Sequence, residues 1–328
     1  MRSRPVVLLV AVLLWLLAPL GAAEAQPPNI PHVGFFRPAP PSPEAARILE
    51  AFKGGLREQG YVDGQNVAVD VRYPSSTTDP LAGIAADLIR QKPAAIFAAA
   101  SSGIDAVRKA TTAIPIVALD LETDPLASGI VASLDRPGGN VTGIFLDFPE
   151  LGGKWLELVK EVAPKVSRVA VLWDPATGRV PLKGAEAAAP SLRLQLQVLE
   201  ARGPGDFEAV FQSAIRARAG ALVTLSSPVF NTYRRLLVDH AAKHRLPAIM
   251  PFPLFADDGG LIAYGPDLVD LYRQGGVMVG KILKGTRARD LPIERPNRFV
   301  LVVNTKTART LGIIIPQSIL LRADRVIE

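Results

Sequence analysis

The sequence predicts an α/β protein made of two doubly wound open-sheet lobes joined by a multi-strand hinge. Three observations lead there. From Ile30 onward, short apolar runs alternate with amphipathic helical stretches, the pattern of parallel βα units. The alternation occurs twice: one apolar strand ends in Ser101-Ser102 and is followed by a helix and Ile114-Pro115, and another ends in Ser226-Ser227 and is followed by a helix and Leu246-Pro247. The chain has 328 residues, enough for two domains of about 150 each.

The first cycle opens with a strand over His32 to Phe36. Ser42 can cap the next helix with Pro43 at its first position, and Ala45, Ile48, Leu49, Phe52 and Leu56 then share one face until Gly60. Asp63-Gly64 turns the chain into the alternating strand Val67, Val69, Val71. Asp79-Pro80 opens a second helix with Leu81, Ile84, Ala85 and Leu88 inward. Ala94 to Ala100 reads as a buried strand, Ser101-Ser102 as a helix start, and Ile114 to Leu119 as another strand.

The second cycle begins with a helix marked by Leu151, Trp155, Leu158 and Val162. The strand Arg168 to Trp173 ends in Asp174-Pro175, and Leu194, Leu196 and Val198 alternate as a further strand. Asp206 is expected to cap a helix that turns Phe207, Val210, Phe211 and Ile215 inward. Strands over Ala219 to Leu225 and Pro247 to Met250 follow, then a strand from Leu261, a helix over Leu268 to Lys284, a proline-containing connector and a strand over Arg298 to Val303. One helix and one strand left over after two lobes imply that the chain crosses the hinge again. The expected lobes are 30–145 plus about 265–290, and 146–264 plus about 291–328.

Residues 1–25 form a three-part secretory signal pattern: Arg2 and Arg4, an uncharged apolar run from Val6 to Leu17, Pro19, and small residues at Ala23-Glu24-Ala25. The run is shorter than the ~20 residues of a spanning helix. Cleavage is expected near Ala25, with delivery of the mature chain to the periplasm. The absence of cysteine excludes thiol catalysis, cysteine-ligated metals, disulfides and a lipid-modified cysteine anchor. The net charge is +6, but acidic and basic residues are interspersed with no run of five like charges. Neither a nucleic-acid arm nor a polybasic membrane patch is expected.

Motifs for catalysis fail on inspection. Gly275 to Lys281 nearly spells a phosphate-binding loop but has Ile282 where Ser or Thr would hold magnesium, and it lies within a helix. His240 and His244 stand at i, i+4, without the glutamate of a zinc protease between them, which leaves them to the helix dipole. Asp120, Glu122 and Asp124 could supply a carboxylate pair but read as solvated loop residues. No G-x-S-x-G elbow or strand-to-helix G-x-G-x-x-G occurs. The expectation is no enzyme, no cofactor and no metal.

Several long segments, in order, carry a resemblance to a known family: Gly55 to Asn66 (GLREQGYVDGQN), Asp124 to Gly143 (DPLASGIVASLDRPGGNVTG), Tyr264 to Leu268 with Tyr272 to Gly275, Leu283-Lys284-Gly285, and Asn304 to Ala308 with Leu311-Gly312. In these the chain resembles the ABC transporter substrate-binding family that includes tryptophan- and tyrosine-type periplasmic binding proteins. The resemblance implies the type I periplasmic-binding-protein fold and a monomer that clamps a small solute and hands it to an ABC permease with its ATPase. It places ligand contacts at strand ends: Phe35, Ser101, Ser102, Asp120 and Asp124 on the first lobe, Asp174, Ser226, Ser227 and Phe230 on the second, and Tyr264 near a hinge crossing. Two departures add negative charge: Glu122-Thr123 stand where many relatives carry Gly-Gly, and Asp174 where many carry Asn. They favour a solute with a positive group over a simple amino acid, so the expected solute is amino-acid-like or another small, cationic organic molecule. A sensor that docks on a receptor, and a sugar-processing α/β enzyme, stay open as alternatives.

Overall fold

Two sheets account for the repeated alternation. The computed structural model describes residues 30–146 and 150–328; the signal pattern over 1–25 lies outside them. The first sheet is wholly parallel, built from β1 (His32–Phe36), β2 (Ala68–Arg72), β3 (Ala95–Ala99), β4 (Ile116–Asp120) and β5 (Val141–Phe145) in the order β2-β1-β3-β4-β5. The second contains β6 (Arg168–Trp173), β7 (Gln195–Glu200), β8 (Ala221–Thr224), β9 (Ala248–Met250), β10 (Ile262–Pro266), β11 (Phe299–Asn304) and β12 (Arg325–Ile327) in the order β12-β11-β10-β9-β8-β6-β7. Only the β10–β11 pairing is antiparallel among these.

The helices of the first lobe are α1 (Pro43–Glu58), α2 (Leu81–Arg90) and α3 (Ala100–Ala110). Those following in the second are α4 (Glu150–Val162), α5 (Val180–Ala188), α6 (Pro204–Arg216), α7 (Pro228–Thr232), α8 (Arg234–Lys243) and α9 (Pro253–Asp257). Then come α10 (Leu268–Leu283), α11 (Thr305–Leu311) and α12 (Gln317–Arg322). Although α10 follows ten strands, it packs on α1 of the first lobe. Three connections join the lobes: one after Phe145, one between Pro266 and Leu268, and one between Glu294, which bridges to Ile144, and Phe299. Pro31–Glu328 forms one compact unit.

The two faces of the first sheet follow from strand alternation. Phe35 and Phe97 point to the α1/α10 side, where they meet Phe52, Tyr73 and Tyr272 at ring-centroid distances of 5.0–6.2 Å. Phe36, Ile96 and Ala98 point the other way and pack with Leu88, Ile104 and Val107 of α2 and α3. Burying each Phe contributes about 1.5–3 kcal/mol, so alternation alone supplies a large share of the cohesion on both faces.

The cap anticipated for α1 forms: Ser42 Oγ accepts from the Ala45 N–H at 3.0 Å, with Pro43 at the first position. The cap anticipated for α6 does not. Gly203 precedes Pro204, and Asp206 instead accepts the Arg202 N–H at 2.7 Å. Ile215, expected inward, is 39% exposed because α6 ends beside it. β5 was not anticipated; it runs through a glycine-rich segment in which Gly143 (φ 146°) lies so close to the Ala118 backbone that a Cβ would fall 2.0 Å from its carbonyl oxygen. Glycines on both helices let α1 and α10 pack closely: a Cβ on Gly276 of α10 would lie 2.0 Å from the Phe52 oxygen, and one on Gly55 of α1 1.9 Å from the Arg273 oxygen.

Candidate functional site

In open parallel sheets, ligands bind beyond the carboxyl ends of the strands, where neighbouring strands send their connections to opposite faces. In the first sheet that point lies between β1 and β3; in the second it lies between β6 and β8. The chain leaving these strands and their neighbours converges from both lobes. Arg37 follows β1, Ala99-Ala100 ends β3, Leu121-Glu122 follows β4, Ser226-Ser227 follows β8 and Phe252 follows β9. Together with Asn231 and Tyr272 they line one cavity of about 30 Å³. A single water needs roughly 10–15 Å³ by the same measure, so the lobes are drawn shut over room for two or so waters. Ala100 holds a left-handed φ of 57° at the cavity wall, backbone strain of about 1–3 kcal/mol of the kind concentrated at functional sites.

The polar groups have distinct environments. Arg37 is 1% exposed and bridges the lobes: its Nη2 donates to the Pro228 carbonyl at 3.0 Å and to Thr232 Oγ1 at 2.9 Å. Glu122 is 3% exposed, and its Oε2 has no hydrogen-bond partner among the described residues. Burial, then the charge of Asp120, push its pKa well above the ordinary carboxyl range. Asp120, fully buried behind it, is also raised by burial, although its Oδ1 accepts from the Glu122 and Thr123 N–H groups at 3.0 and 3.1 Å and from Ser101 Oγ at 3.2 Å. Tyr272, buried under the cavity, has its phenol pushed up to about 12 by burial. The Asn231 Oδ1 is buried without a hydrogen-bond partner among the described residues. The wall thus presents a guanidinium, a carboxyl that burial disfavours as an anion, and unmatched amide and carboxyl oxygens, set among Leu119, Leu121, Phe252 and Leu268.

The lobes also touch outside the cavity. The Val180 N–H donates to the Glu122 carbonyl at 3.1 Å, and a Cβ on Gly178 would lie 2.3 Å from that same oxygen. Arg234 of α8 stands 3.8 Å from Glu44 of α1 and 2.6 Å from Asp258.

The residues picked from the sequence separate into groups. Ser226 and Ser227 line the cavity. Asp120 and Ser101 stand behind Glu122, bonded to each other, and Ser102 is half-buried in the first turn of α3. Asp174 is buried below Ser227, whose hydroxyl donates to its Oδ2 at 2.6 Å. Four picks fall elsewhere. Phe35 points into the α1/α10 core, and Phe230 into the second-lobe core against Phe207. Asp124 accepts the Leu126 and Ala127 N–H groups and so closes its own turn. Tyr264 packs on Phe299 in a separate depression of about 330 Å³ that also holds Lys154 and Arg322. A strand-end position does not reveal which face an aromatic ring takes, and an Asp before Pro caps turns as readily as it faces a cleft. Arg37, Asn231, Phe252 and Tyr272 also line the cavity, without having been expected from the sequence. Arg37 alone left a signal, as a charged residue directly after a buried strand.

Residues 42–327 match the family described as ABC transporter substrate binding protein. The chain belongs to that family. A curated relative, the tyrosine-binding protein of Clostridioides difficile (strain R20291), is 26% identical over 272 residues, 82% of this chain and 77% of the relative. Among solved structures, a conserved domain protein from Vibrio cholerae superposes with a TM-score of 0.81 at 24% identity, covering 90% of this chain and 99% of that one. An ABC domain from Streptococcus pneumonia in complex with L-Trp superposes at 0.80 with 23% identity, covering 91% and 100%. A ligand-free, open substrate binding protein from Clostridium difficile superposes at 0.63, also with 23% identity, covering 91% and 99%. The matched family and the ligand-free neighbour are described as substrate-binding proteins, and the fold this chain shares with its neighbours is that of type I periplasmic binding proteins. Among the described residues no helix is long and apolar enough to cross a membrane.

Proposed function

We propose that this protein is the extracytoplasmic substrate-binding component of an ABC importer, and that it clamps an amino-acid-like solute between its lobes for delivery to a permease. The observation that carries the solute class is that a buried guanidinium, Arg37, and a buried carboxyl, Glu122, line the same cavity between the lobes. A guanidinium suits a carboxylate, and a buried carboxyl with one oxygen unmatched among the described residues suits an ammonium through a charge-assisted hydrogen bond. The apolar wall from Leu119, Leu121, Phe252 and Leu268 suits a hydrocarbon side chain. The names of two relatives, a tyrosine-binding protein and a domain in complex with L-Trp, support an amino-acid class. With room for so little in the closed form, the solute enters by opening of the lobes, and the three connections restrict that motion to a hinge.

A thermal-shift screen of the mature protein tests the solute class. Zwitterionic amino acids are expected to raise the midpoint, and Glu122→Ala is expected to abolish the rise. Stabilisation by purely anionic compounds alone would overturn it. The importer role is tested separately, by uptake of the labelled solute in cells with and without the gene; equal uptake would contradict it.

A further inference from the structure

The outer end of the second lobe holds a cluster that the solute cleft does not use. Glu208 of α6, His240 of α8 and His244 at the C-cap of α8 bring one carboxylate oxygen and two ring nitrogens within 4.8 Å of one another. His240 Nδ1 is 3.4 Å from Glu208 Oε2, and His244 Nε2 is 4.0 Å from Glu208 Oε1. Bonds of ~2.0–2.1 Å to a tetrahedral ion set ligand atoms about 3.4 Å apart, so side-chain adjustments of up to about 1.4 Å complete the geometry from separations within 4.8 Å.

The two imidazoles are pre-positioned. The Phe211 ring stacks on His240 at 5.1 Å and on His244 at 5.8 Å, and the imidazole planes lie within 5° of parallel. His240 Nδ1 and His244 Nε2 are buried and have no hydrogen-bond partner among the described residues. Gln212 and Lys243 fix the Glu208 carboxylate by donating to its Oε1 and Oε2 at 2.9 and 3.0 Å. The α8 C-terminus adds negative potential. The cluster is remote from the cleft: Arg234, at the other end of α8, meets the first lobe, and His244 lies ~15 Å further along the axis at 1.5 Å per residue.

The geometry points to a divalent transition-metal site formed by Glu208, His240 and His244, with at least one coordination position open to water. Two imidazoles and a carboxylate without thiolate suit Zn²⁺, Ni²⁺ or Cu²⁺ rather than Ca²⁺ or Mg²⁺. The spacing of the two histidines alone assigns them to the helix dipole; Glu208, contributed by a helix 32 positions earlier, completes the set. The bound ion would tie α6 to α8. Lys243 opposes it: its ammonium holds Glu208 Oε2 at 3.0 Å and must swing into solvent, which its exposure permits.

The test is titration of ZnCl₂ into untagged, chelator-dialysed mature protein by calorimetry, with the thermal midpoint recorded with and without the ion. One Zn²⁺ per chain is expected, with a rise in midpoint. Glu208→Gln and His244→Gln should each weaken binding roughly tenfold or more, since loss of a partner merely one shell out already costs 10–100-fold. Lys243→Ala, which removes the competing ammonium, should tighten it. No heat beyond dilution overturns the site. So do isotherms unchanged in Glu208→Gln and His244→Gln, which would put the ion elsewhere. Because Lys243→Ala predicts a gain, an unfolded histidine variant does not protect the proposal: unchanged or weaker binding there also counts against it.

Discussion

Thr232 is the lever on lobe closure that leaves the cavity wall untouched. Its Oγ1 accepts from Arg37 Nη2 at 2.9 Å across the lobes, while Thr232 itself is absent from the cavity lining. Thr232→Val preserves the shape and deletes that acceptor. Hydrogen bonds to charged groups contribute about 1.5–3 kcal/mol. The lower end applies, because the Pro228 carbonyl still accepts from the same nitrogen at 3.0 Å. About 1.5 kcal/mol corresponds to roughly a tenfold fall in the closed-to-open ratio. The native chain has no cysteine, so a pair introduced at the exposed Lys109 and Arg216, one on each lobe, can carry spin labels without background. The expected result is a longer-distance population in Thr232→Val that is small or absent in the parent. Superimposable distance distributions would refute the claim that the Arg37 bridge holds the lobes shut.

Other outcomes follow from the same structure. Glu122 has a folded pKa raised by burial and by Asp120, so its favourable neutral form is complete below the usual carboxyl range and is lost as pH rises through the folded value. The midpoint of Glu122→Gln should therefore fall less than that of the parent between pH 5 and pH 8; parallel profiles would contradict this. An ammonium beside Glu122 would favour the carboxylate, so solute binding should release a proton, seen as a calorimetric enthalpy that varies with the ionisation enthalpy of the buffer. Gly276→Ala sets a Cβ 2.0 Å from the Phe52 oxygen and should cost about 1–3 kcal/mol, whereas Gly83→Ala, in a helix with nothing within 4 Å, should be neutral or stabilising by up to ~1 kcal/mol; denaturant titration separates the two.

The fold was legible wherever pattern and end signal coincided. Ser42-Pro43 with the Ile48, Phe52, Leu56 stripe defines α1, and Val33 to Phe36 defines β1, because periodicity and capping are local properties of the chain. β5 escaped because glycine, which its close approach to Ala118 demands, reads as loop. The short α5, α9, α11 and α12 escaped because fewer than three turns carry little periodicity. In the site, a position at a strand end is a sequence-level property, and Ser101, Asp120, Asp174, Ser226 and Ser227 all lie there. The face of a ring is not, which is why Phe35 and Phe230 turn into the two cores. Tyr272 reaches the cavity from α10, which returns to the first lobe after five of the second sheet's strands have been traced, and no local signal marks such a return. The Glu208, His240, His244 cluster shows the same limit: half of it is a spacing, and the other half is a contact between helices.

A crystal structure of the mature protein grown with the most stabilising solute from the screen tests the central claim most directly. The account predicts the solute between the lobes, with its positive group within hydrogen-bond distance of Glu122 and its negative group facing Arg37. Solute bound instead in the depression beside Tyr264 and Phe299, with the lobe-to-lobe cavity unchanged, would contradict it.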